Sequence, residues 1–80
     1  MKLNAKMDYA LRILLYLAED GSTRSSADMS RDLAISRNYI VLLMQPLRDA
    51  GMVESIPGKR GGYRLAIPAE QVTAADVAEA

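Results

Sequence analysis

The chain has 80 residues, with ten Lys plus Arg against ten Asp plus Glu, and 50% of it is apolar. That length is one domain, and that apolar fraction suits a packed globule rather than a disordered chain. There is no Cys and no His, which excludes a disulfide framework, a thiol nucleophile, the usual zinc sites, a Ser-His-Asp triad and an imidazole base.

Phe and Trp are also missing, so the core is expected to be Leu, Ile, Val, Ala and Met. So short a chain buries only about 60% of its unfolded surface and is marginally stable alone. The apolar run from Ile13 to Ala18 is shorter than a signal-peptide core, and nothing approaches a membrane span. The expected location is cytoplasmic, with no membrane partner.

In the first predicted helix, Met7, Ala10, Leu11, Leu14 and Ala18 recur at helical spacing. Ile13, Leu15 and Leu17 widen that stripe, which implies burial on more than one side. Asp8 lies in the first turn, where the helix dipole favours an acid. Gly21 is placed to stop the helix. Residues 22–26 read as a polar connector. Ser25 or Ser26 caps a second, short helix to about Leu33, with Asp28 in its first turn and Met29 and Leu33 facing inward.

Ala34-Ile35-Ser36 then makes a tight turn. Ser36 caps a third helix over about Arg37 to Ala50, with Ile40, Leu43, Met44 and Leu47 as its buried stripe. Gly51 ends it. Pro46 removes the amide bond to Leu42, so a kink is expected there. Val41 and Leu42 extend the apolar surface. The simpler reading makes them additional core; the sharper one turns one of them toward a ligand or a DNA groove.

Met52 to Ile56 reads as a strand, and Tyr63 to Ile67 as a second, with Tyr63, Leu65 and Ile67 on one face. Between them, residues 57–62 (Pro-Gly-Lys-Arg-Gly-Gly) form a basic hairpin tip. Pro68 ends the second strand. Thr73 caps a further helix starting near Ala74. Seven residues hold no helix alone, so a longer native protein is expected.

Helix, helix, tight turn, helix and basic hairpin is the order of a winged helix-turn-helix, an α+β domain that is mainly α. Zero net charge hides a basic half. Residues 37–64 carry Arg37, Arg48, Lys59, Arg60 and Arg64 against Asp49 and Glu54, and phosphate contacts require such an excess. The start of the third helix would reach base edges in the major groove. There Arg37 can bridge guanine and Asn38 adenine, while the Ser36 and Tyr39 hydroxyls can contact phosphates. In the hairpin, Gly58, Gly61 and Gly62 admit close backbone approach, and Lys59 and Arg60 can reach phosphates or a minor groove. The bland alternatives are a helix cap with a solvated first turn, and an ordinary Gly-rich turn.

Four stretches carry a family resemblance. They are Met1-Lys2-Leu3 leading into Asp8-Tyr9-Ala10-Leu11-Arg12, Ile35-Ser36-Arg37-Asn38-Tyr39, Leu47 to Val53, and Gly58-Lys59-Arg60-Gly61-Gly62-Tyr63-Arg64-Leu65. The chain resembles, over essentially its whole length, the N-terminal DNA-binding domain of the Rrf2 family of bacterial transcription regulators. The resemblance implies a homodimer on a palindromic operator, built around a long dimerisation helix beyond these residues. It implies DNA contacts from Ser36, Asn38 and Tyr39 and from the wing, Gly58 to Gly62. It also implies an iron–sulfur cluster on a later three-Cys loop in many members, with Asp8 in the place of a fourth ligand in one branch. The simpler role for Asp8 is a helix N-terminal acid.

The chain departs from the family at three places, one of them Pro46, which bends the helix in this reading although a Gln-Pro-Leu run is not foreign to the family. Pro57 stands where members often carry a minor-groove Arg. Val41-Leu42 stands where members usually show a polar base-reading residue, and an apolar pair there can read thymine methyls or alter specificity. The leading expectation is a DNA-binding regulator, a repressor of this kind, with Leu42 among its contacts. The alternative is a winged-helix protein-interaction module, which exposure of Val41 and Leu42 would favour. An enzyme would have only carboxylates and Tyr, with no spacing that links them.

Overall fold

A computed structural model describes residues 5–19 and 21–72. Three helices come first: α1 (Ala5–Ala18), α2 (Ser26–Leu33) and α3 (Arg37–Asp49). A two-stranded antiparallel hairpin follows, β1 (Val53–Ile56) and β2 (Gly62–Leu65), in the register Val53↔Leu65 to Ile56↔Gly62. A short 3-10 turn, Ala69–Gln71, follows the hairpin after Pro68, and the sequence reading did not anticipate it. The helix expected from Thr73 lies outside the described residues.

The core is one cluster. It draws Ala10, Ile13, Leu14 and Leu17 from α1, Met29 from α2, and Ile40, Leu43, Met44 and Leu47 from α3. Ile35, Met52 and Val53 complete it. Helical spacing predicts the α3 set correctly, because side chains three and four apart share one face. In α1 the broad stripe divides: Leu15 is exposed, whereas Ile13 and Leu17 are fully buried.

The caps follow the expected chemistry. The Ser25 side chain accepts from the Asp28 amide at 3.0 Å, and the Asp28 carboxylate accepts from the Ser25 amide at 3.2 Å. This reciprocal pair satisfies two amides that the first turn of a helix leaves unbonded. It also holds the Asp28 carboxyl below the usual carboxylate range. The Tyr16 hydroxyl donates to the Asp32 carboxylate and ties α1 to α2; that bond raises the pKa of the phenol.

The turn into α3 is held at three points. Ala34 closes α2 in the left-handed region, with φ 56°. The Ser30 hydroxyl donates to the Ile35 carbonyl at 2.6 Å, and the Ile35 side chain is buried. The Ser36 hydroxyl accepts from the Tyr39 amide at 3.2 Å. α3 then continues without a break through Pro46 to Asp49. Beyond it, Gly51 has φ 78°.

One expectation about the hairpin is corrected. Gly62 belongs to β2, so the tip is residues 57–61 rather than 57–62. The connector before α2 also contributes to the sheet. Arg24 and Tyr63 exchange amide-to-carbonyl hydrogen bonds of 2.9 and 2.8 Å, forming an isolated antiparallel bridge.

Candidate nucleic-acid interface

The first turn of α3 opens to solvent. Ser36, Arg37 and Asn38 are exposed, while Tyr39 is half-buried. Arg37 donates from Nε to the Ser26 hydroxyl at 2.9 Å, which links the start of α3 to the start of α2. Tyr39 meets Tyr9 edge to face, with ring centroids 5.5 Å apart. The sequence reading gave Arg37 and Tyr39 contact roles alone; here both also fix the helix in place.

Farther along α3 the exposed residues are Val41, Leu42, Gln45, Arg48 and Asp49. Val41 and Leu42 therefore are not core, and the simpler reading of them fails. Val41 and Leu42 each lie three or four residues from both Asn38 and Gln45, so the four form one outward stripe. The sequence reading did not single out Gln45, and it counted Arg48 only toward the basic excess, not on this face. Counting the same helical period from Asn38 instead of from Ile40 would have found both.

The wing presents Pro57, Gly58, Lys59 and Arg60, all exposed. Gly58 has φ +103° and open space where a Cβ would stand, so its backbone can be approached closely. The next two glycines are needed by the fold itself. A Cβ on Gly61 would collide with the Ile56 carbonyl and lie 2.9 Å from that of Gly58. A Cβ on Gly62 would collide with the Arg24 carbonyl and lie 2.8 Å from the Ser25 Cα. The close approach that Gly62 permits is thus to this chain's own bridging segment.

The basic excess is partly spent within the domain. Arg64 pairs with Glu54 across the hairpin, its Nε 2.8 Å from Oε1. Arg48, Lys59 and Arg60 carry no ion pair among the described residues. Those cations remain available to phosphates.

The chain's donor set does not suit an iron–sulfur cluster. Such clusters are held by thiolates, and this sequence has no Cys. No group of three His, Cys, Asp or Glu side chains forms a metal site among the described residues. Asp8 pairs with Arg12 one turn on, at 3.0 Å.

A family model for Rrf2, described as iron-dependent transcriptional regulators, matches residues 3–80. The chain belongs to the Rrf2 family. Over 78 residues it is 37% identical to protein aau3 of Rhizobium meliloti, covering 96% of this chain and 51% of that protein. CymR of B. subtilis, a global cysteine regulator, is 34% identical with a TM-score of 0.87, covering 96% of this chain and 61% of its own. IscR of T. potens is 27% identical with a TM-score of 0.88, covering 99% and 59%.

The fold is therefore the Rrf2 winged helix, and at family level the function is DNA-binding transcriptional regulation rather than catalysis. The chain spans about half the length of the curated relative aau3. Among the described residues, no helix is long and apolar enough to cross a membrane.

Proposed function

We propose that this chain is the DNA-reading domain of a transcriptional repressor that binds a palindromic operator as a homodimer in the cytoplasm. The observation that carries this is the outward stripe of α3, rooted in the exposed Ser36-Arg37-Asn38 turn. The α2–turn–α3 unit presents that stripe as a recognition helix presents its residues to a major groove. Asn38 and Gln45 supply carboxamides able to bridge adenine, and Arg37 a guanidinium able to bridge guanine. Ser36 and Tyr39 contact phosphates from the first turn, and Leu42 faces the groove floor. The wing residues Gly58, Lys59, Arg60, Gly61 and Gly62 make a second contact, in which the two side-chain cations carry the electrostatic term.

Palindromic binding requires two copies, because a two-fold operator mirrors a two-fold protein. The dimerising helix, and any cluster-bearing loop, belong to the rest of a longer protein, so 1–80 is its winged domain. Exposure of Val41 and Leu42 is the observation that favours a protein-interaction module instead. Their place between two carboxamides, on a face with unpaired cations nearby in sequence, favours a nucleic-acid groove.

Selection from a randomised duplex library at moderate salt, followed by sequencing, tests the proposal. An inverted-repeat consensus is the expected result. Enrichment of no sequence, with retention that ignores salt, would overturn it.

A further inference from the structure

Val41 and Leu42 are 39% and 58% exposed on the stripe that Asn38 begins. We propose that this pair is a specificity-determining site for the C5 methyl group of a pyrimidine, in thymine or in 5-methylcytosine. The inference rests on α3 being the recognition helix. It adds the chemistry that the middle of that helix selects.

Along α3 the stripe runs carboxamide, apolar pair, carboxamide: Asn38, then Val41 and Leu42, then Gln45. On a base-pair edge in the major groove, adenine offers N7 and N6, which a carboxamide bridges, and its partner thymine offers O4 and a methyl. That methyl is the apolar feature of the groove floor. A stripe that alternates amide and hydrocarbon therefore complements runs rich in A·T pairs.

The surroundings point to this occupant over a protein surface. Docking patches for proteins are contiguous over several hundred Å². Among the described residues, the exposed large apolar side chains of α3 are these two neighbours, bounded along the helix by Asn38 and Gln45. The same helix carries Arg48 and the wing Lys59 and Arg60, none of them in an ion pair among the described residues. A polyanion satisfies those cations; an apolar protein face does not. 5-Methylcytosine holds its methyl on the same ring carbon as thymine. Cytosine methylation at a contacted position would therefore strengthen binding.

The test uses the full chain and the duplex that selection yields. Each thymine is replaced in turn by deoxyuridine, which keeps every hydrogen-bonding edge and lacks only the methyl. In a second series each cytosine is replaced by 5-methylcytosine. At one or two positions, loss of the methyl is expected to weaken wild-type binding about three- to fivefold, the effect of one buried methyl. Leu42→Ala or Val41→Ala should bind the thymine and deoxyuridine duplexes equally at that position. Both side chains are exposed, so both variants are expected to fold, and a thermal melt checks this. Equal wild-type affinity for thymine and deoxyuridine at every position would overturn the methyl assignment while leaving DNA binding intact. Failure to retain any duplex would overturn both readings together.

Discussion

The ring of Tyr39, in the first turn of the recognition helix, stands edge-on to the ring of Tyr9 on α1, with centroids 5.5 Å apart and planes at 88°. Arg12 lies over that same Tyr9 ring at 5.4 Å and pairs with Asp8. The start of α3 is thus fixed to the first helix as well as to the second. An aromatic pair of this geometry contributes about 0.5–1.5 kcal/mol beyond its burial. Tyr39→Phe should keep that stability, and Tyr39→Ala should lose it, as read by urea unfolding. Any fall in DNA affinity for the Phe variant then reports the hydroxyl alone.

The Asn38 side chain is exposed and makes no hydrogen bond among the described residues, so its replacement is expected to leave the fold unchanged. Asn38→Ala should weaken operator binding by about 1–3 kcal/mol and relax one operator position. Repeating the duplex selection with the variant checks this; an unchanged consensus at unchanged affinity contradicts it.

Lys59 and Arg60 are exposed at the wing tip and free of ion pairs among the described residues. Each phosphate contact contributes about 0.9 to the slope of log affinity against log salt. Changing both to Ala should lower the slope by about 1.8 and weaken binding to all duplexes alike. Titrations at several salt concentrations read both effects.

Gly62→Ala should destabilise the domain by about 1–3 kcal/mol, because the added methyl meets backbone that cannot turn aside. Ala34→Gly should act in the opposite sense. Ala34 holds a left-handed conformation that glycine adopts freely, and relief of that strain outweighs the added chain entropy by roughly 0.5–1 kcal/mol. Denaturant midpoints of the two variants, moving in opposite directions, check both.

Acid should loosen α2 first. Asp28 is held below its ordinary pKa mainly by the backbone and side chain of Ser25, and Asp32 by Arg31 and Tyr16. Both carboxylates therefore stabilise the fold above the ordinary carboxylate range, and that contribution is lost as pH falls through their lowered values. Asp28→Asn should flatten the acid limb of a stability-against-pH curve. An unchanged limb would assign the acid sensitivity elsewhere.

Much of this architecture is legible from residue order. Ser25 and Ser36 announce their helices because a hydroxyl there satisfies amides that nothing else can reach. Ile40, Leu43, Met44 and Leu47 announce a buried face because their spacing matches the helix. Periodicity identifies a stripe but not its limits, so it left Val41 and Leu42 between core and surface. Partnerships between distant residues leave no local signal. The Arg24–Tyr63 bridge, the bond from Arg37 to Ser26 and the pairing of Arg64 with Glu54 all arise from tertiary packing. They change the meaning of the site: Gly62 accommodates the chain's own backbone, and Arg64 is partly neutralised.

The central claim is that the outward face of α3 and the wing tip together contact duplex DNA. Amide chemical-shift mapping of the full chain, titrated with the selected duplex, tests it most directly. The account predicts shifts concentrated at residues 36–48 and 58–61, with α1 beyond Tyr9 largely unmoved. Shifts concentrated on the exposed side of α1 around Leu15, with α3 and the wing unperturbed, would contradict it.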